Sequence, residues 1–252
     1  MPTRASVCSG RVARRVRVGT VLLPCVLGWG LQVTAQPLDN TSWGAAKPAV
    51  PHSADHVAGE FGADPAGASL SAVAVVQGVL RSGDHQGLPF VVVDKIHARV
   101  FVFSGTGRWL GTAPALVGLA RGDEAIPGLG DRPLSQIQPH ERITPAGRFV
   151  AELDRNAAGQ TILWVDYEQA ISLHPVRSLN PQERRLERLA SVSLQDKRIS
   201  YGCINVPTQF WHAVVLPAFR NRQGIVYVLP DSRPLDSVFA HLLGATEKAA
   251  TK

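Results

Sequence analysis

The chain has 252 residues, with 26 Lys and Arg against 20 Asp and Glu, a formal charge of +6. Five of the positive charges are arginines within the first 17 residues and residues 18–35 carry none, so the remainder holds 21 basic and 20 acidic residues, a balance of +1. That near-neutral body lacks the basic patch of a nucleic-acid binder, and three cysteines at positions 8, 25 and 203 exclude both a disulfide scaffold and a cysteine-rich metal site.

Arg4, Arg11, Arg14, Arg15 and Arg17 precede an apolar stretch from Val18 to Leu31, which ends in Val33-Thr34-Ala35 before Gln36. This order of charge, apolar run and small residue predicts a secretory signal peptide over 1–35. The run falls short of the ~20 residues a membrane span needs, and Pro24 interrupts it. The expectation is an exported protein of the periplasm or cell envelope, with no stable membrane span once the leader is cleaved. The Arg14-Arg15 pair leaves the export route open between two systems. Cleavage removes Cys8 and Cys25, so the fold must rest on its core, and Cys203 remains as a solitary thiol.

Residues 36–68, rich in Ala, Gly, Pro, Asp and His, read as a linker. Leu70, Val73, Val76 and Leu80 recur at helical spacing and predict a short helix from Ser69 to Arg81. Two β-branched and aromatic runs, 89–94 and 98–103, flank the turn Lys95-Ile96-His97 and predict a hairpin. Gly105-Thr106-Gly107 is a second turn, and 108–118 continues extended. Residues 119–143 form a long irregular loop. Strands are predicted again at 147–153, 161–167 and 170–173. A charged helix is predicted at 181–190, with Asn180 as N-cap and Pro181 at its first position. Another begins at Pro207 and should end at Pro217. A late strand follows at 224–229, then an amphipathic helix at 234–243. The predicted fold class is mainly β with a few short helices, a sandwich or partly closed barrel. The domain plan is a leader (1–35), a linker and short helix (36–85), a catalytic domain (86–230) and a C-terminal helix and tail (231–252).

Cys203 sits in Ser200-Tyr201-Gly202-Cys203-Ile204-Asn205. A thiol attacks well only as thiolate, so it needs a base or a positive field beside it. Gly202 permits close backbone approach, and amides of such a turn suit an oxyanion. Of eight histidines, His174 is the best placed base, because it ends the apolar strand Ala170-Ile171-Ser172-Leu173-His174. His97 lies in a hairpin turn and His212 in a helix, where structural roles suffice. No metal-ligand spacing and no glycine-rich phosphate loop is present, so neither metal nor nucleotide cofactor is expected.

From His174 to Asn205 the chain resembles the signature of the L,D-transpeptidase (YkuD-type) catalytic domain: a histidine, a spacer, then Ser/Thr-His-Gly-Cys-hydrophobic-Asn/Arg. Ser200, Gly202, Cys203, Ile204 and Asn205 match it. Upstream, Val92-Val93-Asp94 and Thr144-Pro145-Ala146-Gly147-Arg148-Phe149 resemble the strand and the Thr-Pro-x-Gly-x-Phe turn of that family. Three positions depart from the pattern. Tyr201 replaces the usual histidine, 28 residues separate His174 from Cys203, and Pro175 follows the base. The extra spacer length could cap the cleft.

The resemblance implies a cofactor-free acyl exchange on peptidoglycan stem peptides. Cys203 would be the nucleophile, His174 the base, and amides near Gly202 and Cys203 the oxyanion site. The product would be a 3→3 cross-link, or a trimmed stem if water is the acceptor. A catalytically inactive wall-binding protein is the remaining alternative. Ser200, Tyr201, Asn205 and Arg198 are the substrate-binding candidates. For Asn205 the competing role is pinning the turn; for Arg198 and Ser200 it is decorating a strand.

Overall fold

The computed structural model describes residues 67–244. The predicted leader and most of the linker lie outside the described residues, as do Cys8 and Cys25. Among the described residues there are ten strands: β1 (Phe90–Asp94), β2 (Arg99–Phe103), β3 (Trp109–Pro114), β4 (Val117–Gly118), β5 (Gly147–Arg155), β6 (Thr161–Asp166), β7 (Ile171–Pro175), β8 (Arg198–Ser200), β9 (Ile204–Val206) and β10 (Gly224–Val228). Eight form one sheet in the order β3-β2-β1-β10-β5-β6-β7-β9, and β4 pairs with β8. The protein is mainly β with a few short helices.

The long strand β5 belongs to two half-sheets. Its first half pairs with β10 through Ala151, and its second half pairs with β6 from Glu152 onward. The sheet curls there, and its outer edges meet. Leu116, just beyond β3, exchanges both backbone hydrogen bonds with Asn205 of β9, at 2.8 and 2.9 Å. Of the two predicted architectures, the partly closed barrel is the one formed.

Alternation along the strands divides the core in two. Val91, Val93, Val100, Val102, Leu173 and Ile204 point into the curl, where the helical segment 208–219 plugs it with Trp211, Val215 and Phe219. Phe90, Val92, Phe101 and Tyr227 point outward and are covered by two helices, Leu70–Ser82 and Asp236–Leu243. Strand β1 is therefore buried on both faces, which explains its unbroken apolar run. Each such side chain contributes roughly 1.5–3 kcal/mol of burial.

The first helix begins as its sequence predicts, with the Ser69 Oγ accepting the Ala72 N–H at 3.1 Å. It crosses the closing helix at Gly78, where a Cβ would stand 2.6 Å from the Leu242 carbonyl oxygen, so only glycine fits.

Two predicted helices differ. The charged stretch 181–190 is a 3₁₀ turn, Pro181–Glu183, and a helix, Arg185–Ala190. Arg184 breaks it at φ +49°, although Asn180 caps the first turn as predicted. Pro217 does not end the helix at 208. The chain widens into a π turn over Trp211–Val215, in which the Leu216 N–H reaches the Trp211 carbonyl, and the helix runs on to Phe219. The wider turn accommodates a proline that has no N–H to offer.

Lys95, in the predicted hairpin turn, is fully buried. Its ammonium donates to Asp123 Oδ1 (2.7 Å) and to the carbonyls of Gly122 (2.6 Å) and Thr144 (2.8 Å). Asp231 lies 3.6 Å away and pairs with Arg198. The cluster fastens the start of the long loop and the segment after β10 to the base of β8. Among the described residues, no helix is long and apolar enough to cross a membrane.

Candidate active site

The parallel register of β7 and β9 sets Leu173 beside Ile204 and His174 beside Asn205. Leu173 and Ile204 face the core. Alternation then places Ser172 and His174 on the other face of β7, with Asn205 of β9 and Cys203, just before that strand, on the matching side. Four polar residues thus converge because two strands share a register. Parallel neighbours require a long crossover connection, and residues 176–203 supply it.

Cys203 is partly exposed and lines a cleft of about 360 Å³ with His174, Arg177, Glu183, Arg185 and Tyr201. Leu134 of the long loop and Leu179 of the crossover form its apolar rim. A larger hollow of about 490 Å³, lined by Glu152, Phe219 and Arg222, lies elsewhere and does not include the thiol. The crossover therefore walls the cleft, as its length suggested.

Burial pushes the Cys203 thiol's pKa up, but the His174 ring, as hydrogen-bond partner and as charge, and then Ser172 bring it below its ordinary value. The sulfur is 3.5 Å from Ser172 Oγ and 3.6 Å from the Ala170 carbonyl oxygen. His174 Nδ1 donates to the Pro175 carbonyl at 2.9 Å, which turns Nε2 toward the site. Asn205 Nδ2 meets that Nε2 at 3.1 Å.

The turn before the nucleophile is held by two hydroxyls. Ser200 Oγ accepts the Gly202 N–H (3.1 Å) and donates to the Cys203 carbonyl (2.6 Å). Thr144 Oγ1 accepts the Gly118 N–H (2.9 Å) and donates to the Gly202 carbonyl (2.7 Å). Gly202 adopts φ +128°, and a Cβ on it would lie 2.5 Å from Ile171 Cδ1 and 2.7 Å from the Ile143 carbonyl oxygen. Gly202→Ala is expected to cost about 3 kcal/mol through strain and overpacking. Thermal unfolding, with Cys203 alkylation as a second readout, measures that loss.

The candidate residues fall in different settings. Arg198 is buried, paired with Asp231 and donating to the carbonyls of Gly118, Ala120 and Lys95, so its guanidinium is committed to bracing β8. Ser200 is also buried, and its hydroxyl is committed to the turn. Asn205 is fully buried and holds the His174 ring. Gly202 keeps its place, but its N–H is bound to Ser200. Tyr201 lines the cleft with the Arg142 guanidinium 4.0 Å above its ring.

Ser172 and Arg185 were absent from the predicted site. Ser172 carried a usable signal, standing two residues before His174 on one strand. Its hydroxyl helps lower the Cys203 pKa. Ser172→Ala is therefore expected to raise that pKa and move the acid limb of Cys203 alkylation toward higher pH. Iodoacetamide rates measured from pH 5 to 9 check the direction. Among the described residues, no group of three or more His, Cys, Asp or Glu gathers to hold a metal ion.

No protein-family model and no curated protein matches the sequence. Its structural neighbours are L,D-transpeptidase catalytic domains and a cell-shape protein, all at low identity. The chain is similar to the helical cell shape determining protein Pgp2 from Campylobacter jejuni (14% identity over 58% of this chain and 49% of that one, TM-score 0.37). It is similar to the catalytic domain of the E. faecium L,D-transpeptidase (16%, 56% and 95%, TM-score 0.31). A third is an L,D-transpeptidase from Stackebrandtia nassauensis (16%, 66% and 69%, TM-score 0.33). The match spans about half the length of the Pgp2 chain.

Proposed function

We propose that this protein is a cysteine-dependent L,D-transpeptidase of peptidoglycan. The observation that carries the reading is the placing of the Cys203 thiol and the His174 ring at the wall of one open cleft, His174 on β7 and Cys203 at the entry to the parallel strand β9. The sequence resemblance from His174 to Asn205 supplies the substrate class.

In this reading the Cys203 proton passes to His174 Nε2, and the thiolate forms a C–S bond at the carbonyl of the diaminoacyl residue preceding a terminal D-Ala. The Cys203 N–H faces the oxyanion. Collapse breaks the C–N bond, and D-Ala leaves with the proton from His174. A thioester remains. An amine of a neighbouring stem attacks it, gives its proton to His174, and the thiol is restored. The bond broken drives the bond made, so no nucleotide is consumed. Export to the cell envelope belongs to the same reading, with the leader at 1–35.

Incubation of the protein with disaccharide-tetrapeptide units, followed by mass spectrometry, tests it. Cross-linked dimers with released D-alanine are the expected products. Tripeptides without dimers would make water the acceptor and the protein an L,D-carboxypeptidase. Unchanged substrate, together with no carbapenem adduct and retained binding to sacculi, would leave a wall-binding protein and sink the enzymatic reading.

A further inference from the structure

Arg185 reaches the site from the crossover helix. Its Nη1 lies 2.6 Å from Asn205 Oδ1, and its Nε is paired with Glu183. A guanidinium only donates, so the Asn205 atom it meets must be the oxygen. That places the amide NH₂ against His174 Nε2. An NH₂ group only donates as well, so Nε2 must present its lone pair and the ring proton must sit on Nδ1. The Pro175 carbonyl beside Nδ1, which only accepts, requires the same tautomer. Three contacts thus fix one state, a neutral imidazole whose basic lone pair is occupied by an amide. The thiol's contact with the Ala170 carbonyl fits a sulfur that keeps its proton.

We infer that Arg185 is a positioning residue that holds the Asn205 amide in this orientation, and that a carboxylate on the bound peptide draws Arg185 away and releases it. The inference rests on the function proposed above and deepens it, by assigning the group that recognises an anionic stem. Once freed, the amide turns over and its oxygen accepts a hydrogen bond from His174 Nε2–H. The S–H bond of Cys203 breaks, the proton moves to Nε2, and the electron pair stays on sulfur. The imidazolium that was opposed by an NH₂ group is then stabilised by an amide oxygen. The other charged groups lining the cleft are Arg177 and Glu183, with Arg142 over Tyr201. Glu183 pairs with Arg185, so replacing the guanidinium also takes a positive charge from the thiolate's surroundings, and a faster reaction requires the turned amide to outweigh that loss.

The test is the rate of Cys203 alkylation by iodoacetamide in the full chain, read on the Cys203 peptide by mass spectrometry from pH 5 to 9. Arg185→Met is expected to react about tenfold faster than wild type at pH 6, the worth of one charge-assisted hydrogen bond gained. Asn205→Asp, which offers only an acceptor to Nε2, is expected to react faster as well. Sodium acetate should accelerate wild type relative to sodium chloride at equal ionic strength, and leave Arg185→Met unchanged. The acetate comparison on wild type needs no variant to fold. An equal or slower rate for a folded Arg185→Met, or no acetate effect on wild type, overturns the inference while leaving the nucleophile intact. A wild-type thiol inert at every pH, yet reactive after denaturation, overturns the proposed function and the inference with it.

Discussion

Cys203→Ser should abolish D-alanine release from a tetrapeptide stem, lowering the rate by at least about ten-thousandfold, as removal of an activated nucleophile does elsewhere. A serine hydroxyl titrates far above the range His174 can reach, so the same geometry no longer yields an anion. His174→Gln should cost a comparable factor, because the thiol then lacks the partner that lowers its pKa. The two losses should not add. A double variant no slower than either single one is the signature of groups that act as a unit. A carbapenem gives an independent readout: wild type should gain the mass of one adduct, and Cys203→Ser none. Turnover surviving in Cys203→Ser would remove the acyl-thioester from the scheme.

The largest stability effect is expected at Lys95. Replacing it with methionine preserves much of the side-chain bulk but leaves Asp123 and Asp231 facing each other, with Arg198 as the remaining cation. Breaking a buried ion cluster in this way costs about 3–5 kcal/mol, or roughly 10 °C of melting temperature for a domain of this size. The effect should reach the site, because Lys95 holds the Thr144 carbonyl while the Thr144 hydroxyl holds Gly202. Cys203 alkylation should therefore change along with the melting temperature. The cluster also sets the acid limit of the fold. Burial raises the Asp123 pKa, but hydrogen bonds from Lys95, Ser232 and the Asp231 N–H outweigh it and hold the carboxyl well below the usual carboxylate range. A depressed folded pKa contributes stability that is fully present above the unfolded value, near 3.8, and is lost as pH falls toward the folded one. Melting temperatures should accordingly decline below about pH 4, and Asp123→Asn should flatten that decline.

Much of this architecture was legible because local chemistry decided it. Apolar runs marked β1, β2 and β7, helical spacing marked the first helix, and Asn180 marked its helix start through a side chain that bonds a nearby amide. Cys203 and Gly202 could be read from their neighbours, since a nucleophile on a tight turn needs that backbone freedom. What stayed hidden depends on distant partners. Arg198 and Arg185 are the same residue type on the same crossover. One is buried against Asp231 from beyond β10, while the other reaches Asn205 across the cleft, and no local pattern separates them. Lys95 looked like a turn residue because its three acceptors lie 27 to 49 positions away. The Arg184 break and the π turn ahead of Pro217 likewise follow from how the chain packs, not from propensity.

His174 on β7 and Cys203 at the entry to β9 are aligned by the barrel wall, while the cleft's outer bank comes from the excursion between them. In the proposed function, alignment of the reacting groups rests mainly on the wall and choice of peptide mainly on the excursion. Exchanging this excursion for a different insert that keeps Arg185 and Glu183 should alter which peptides are accepted and leave sulfur and imidazole where they are, so it is the place to graft a new specificity.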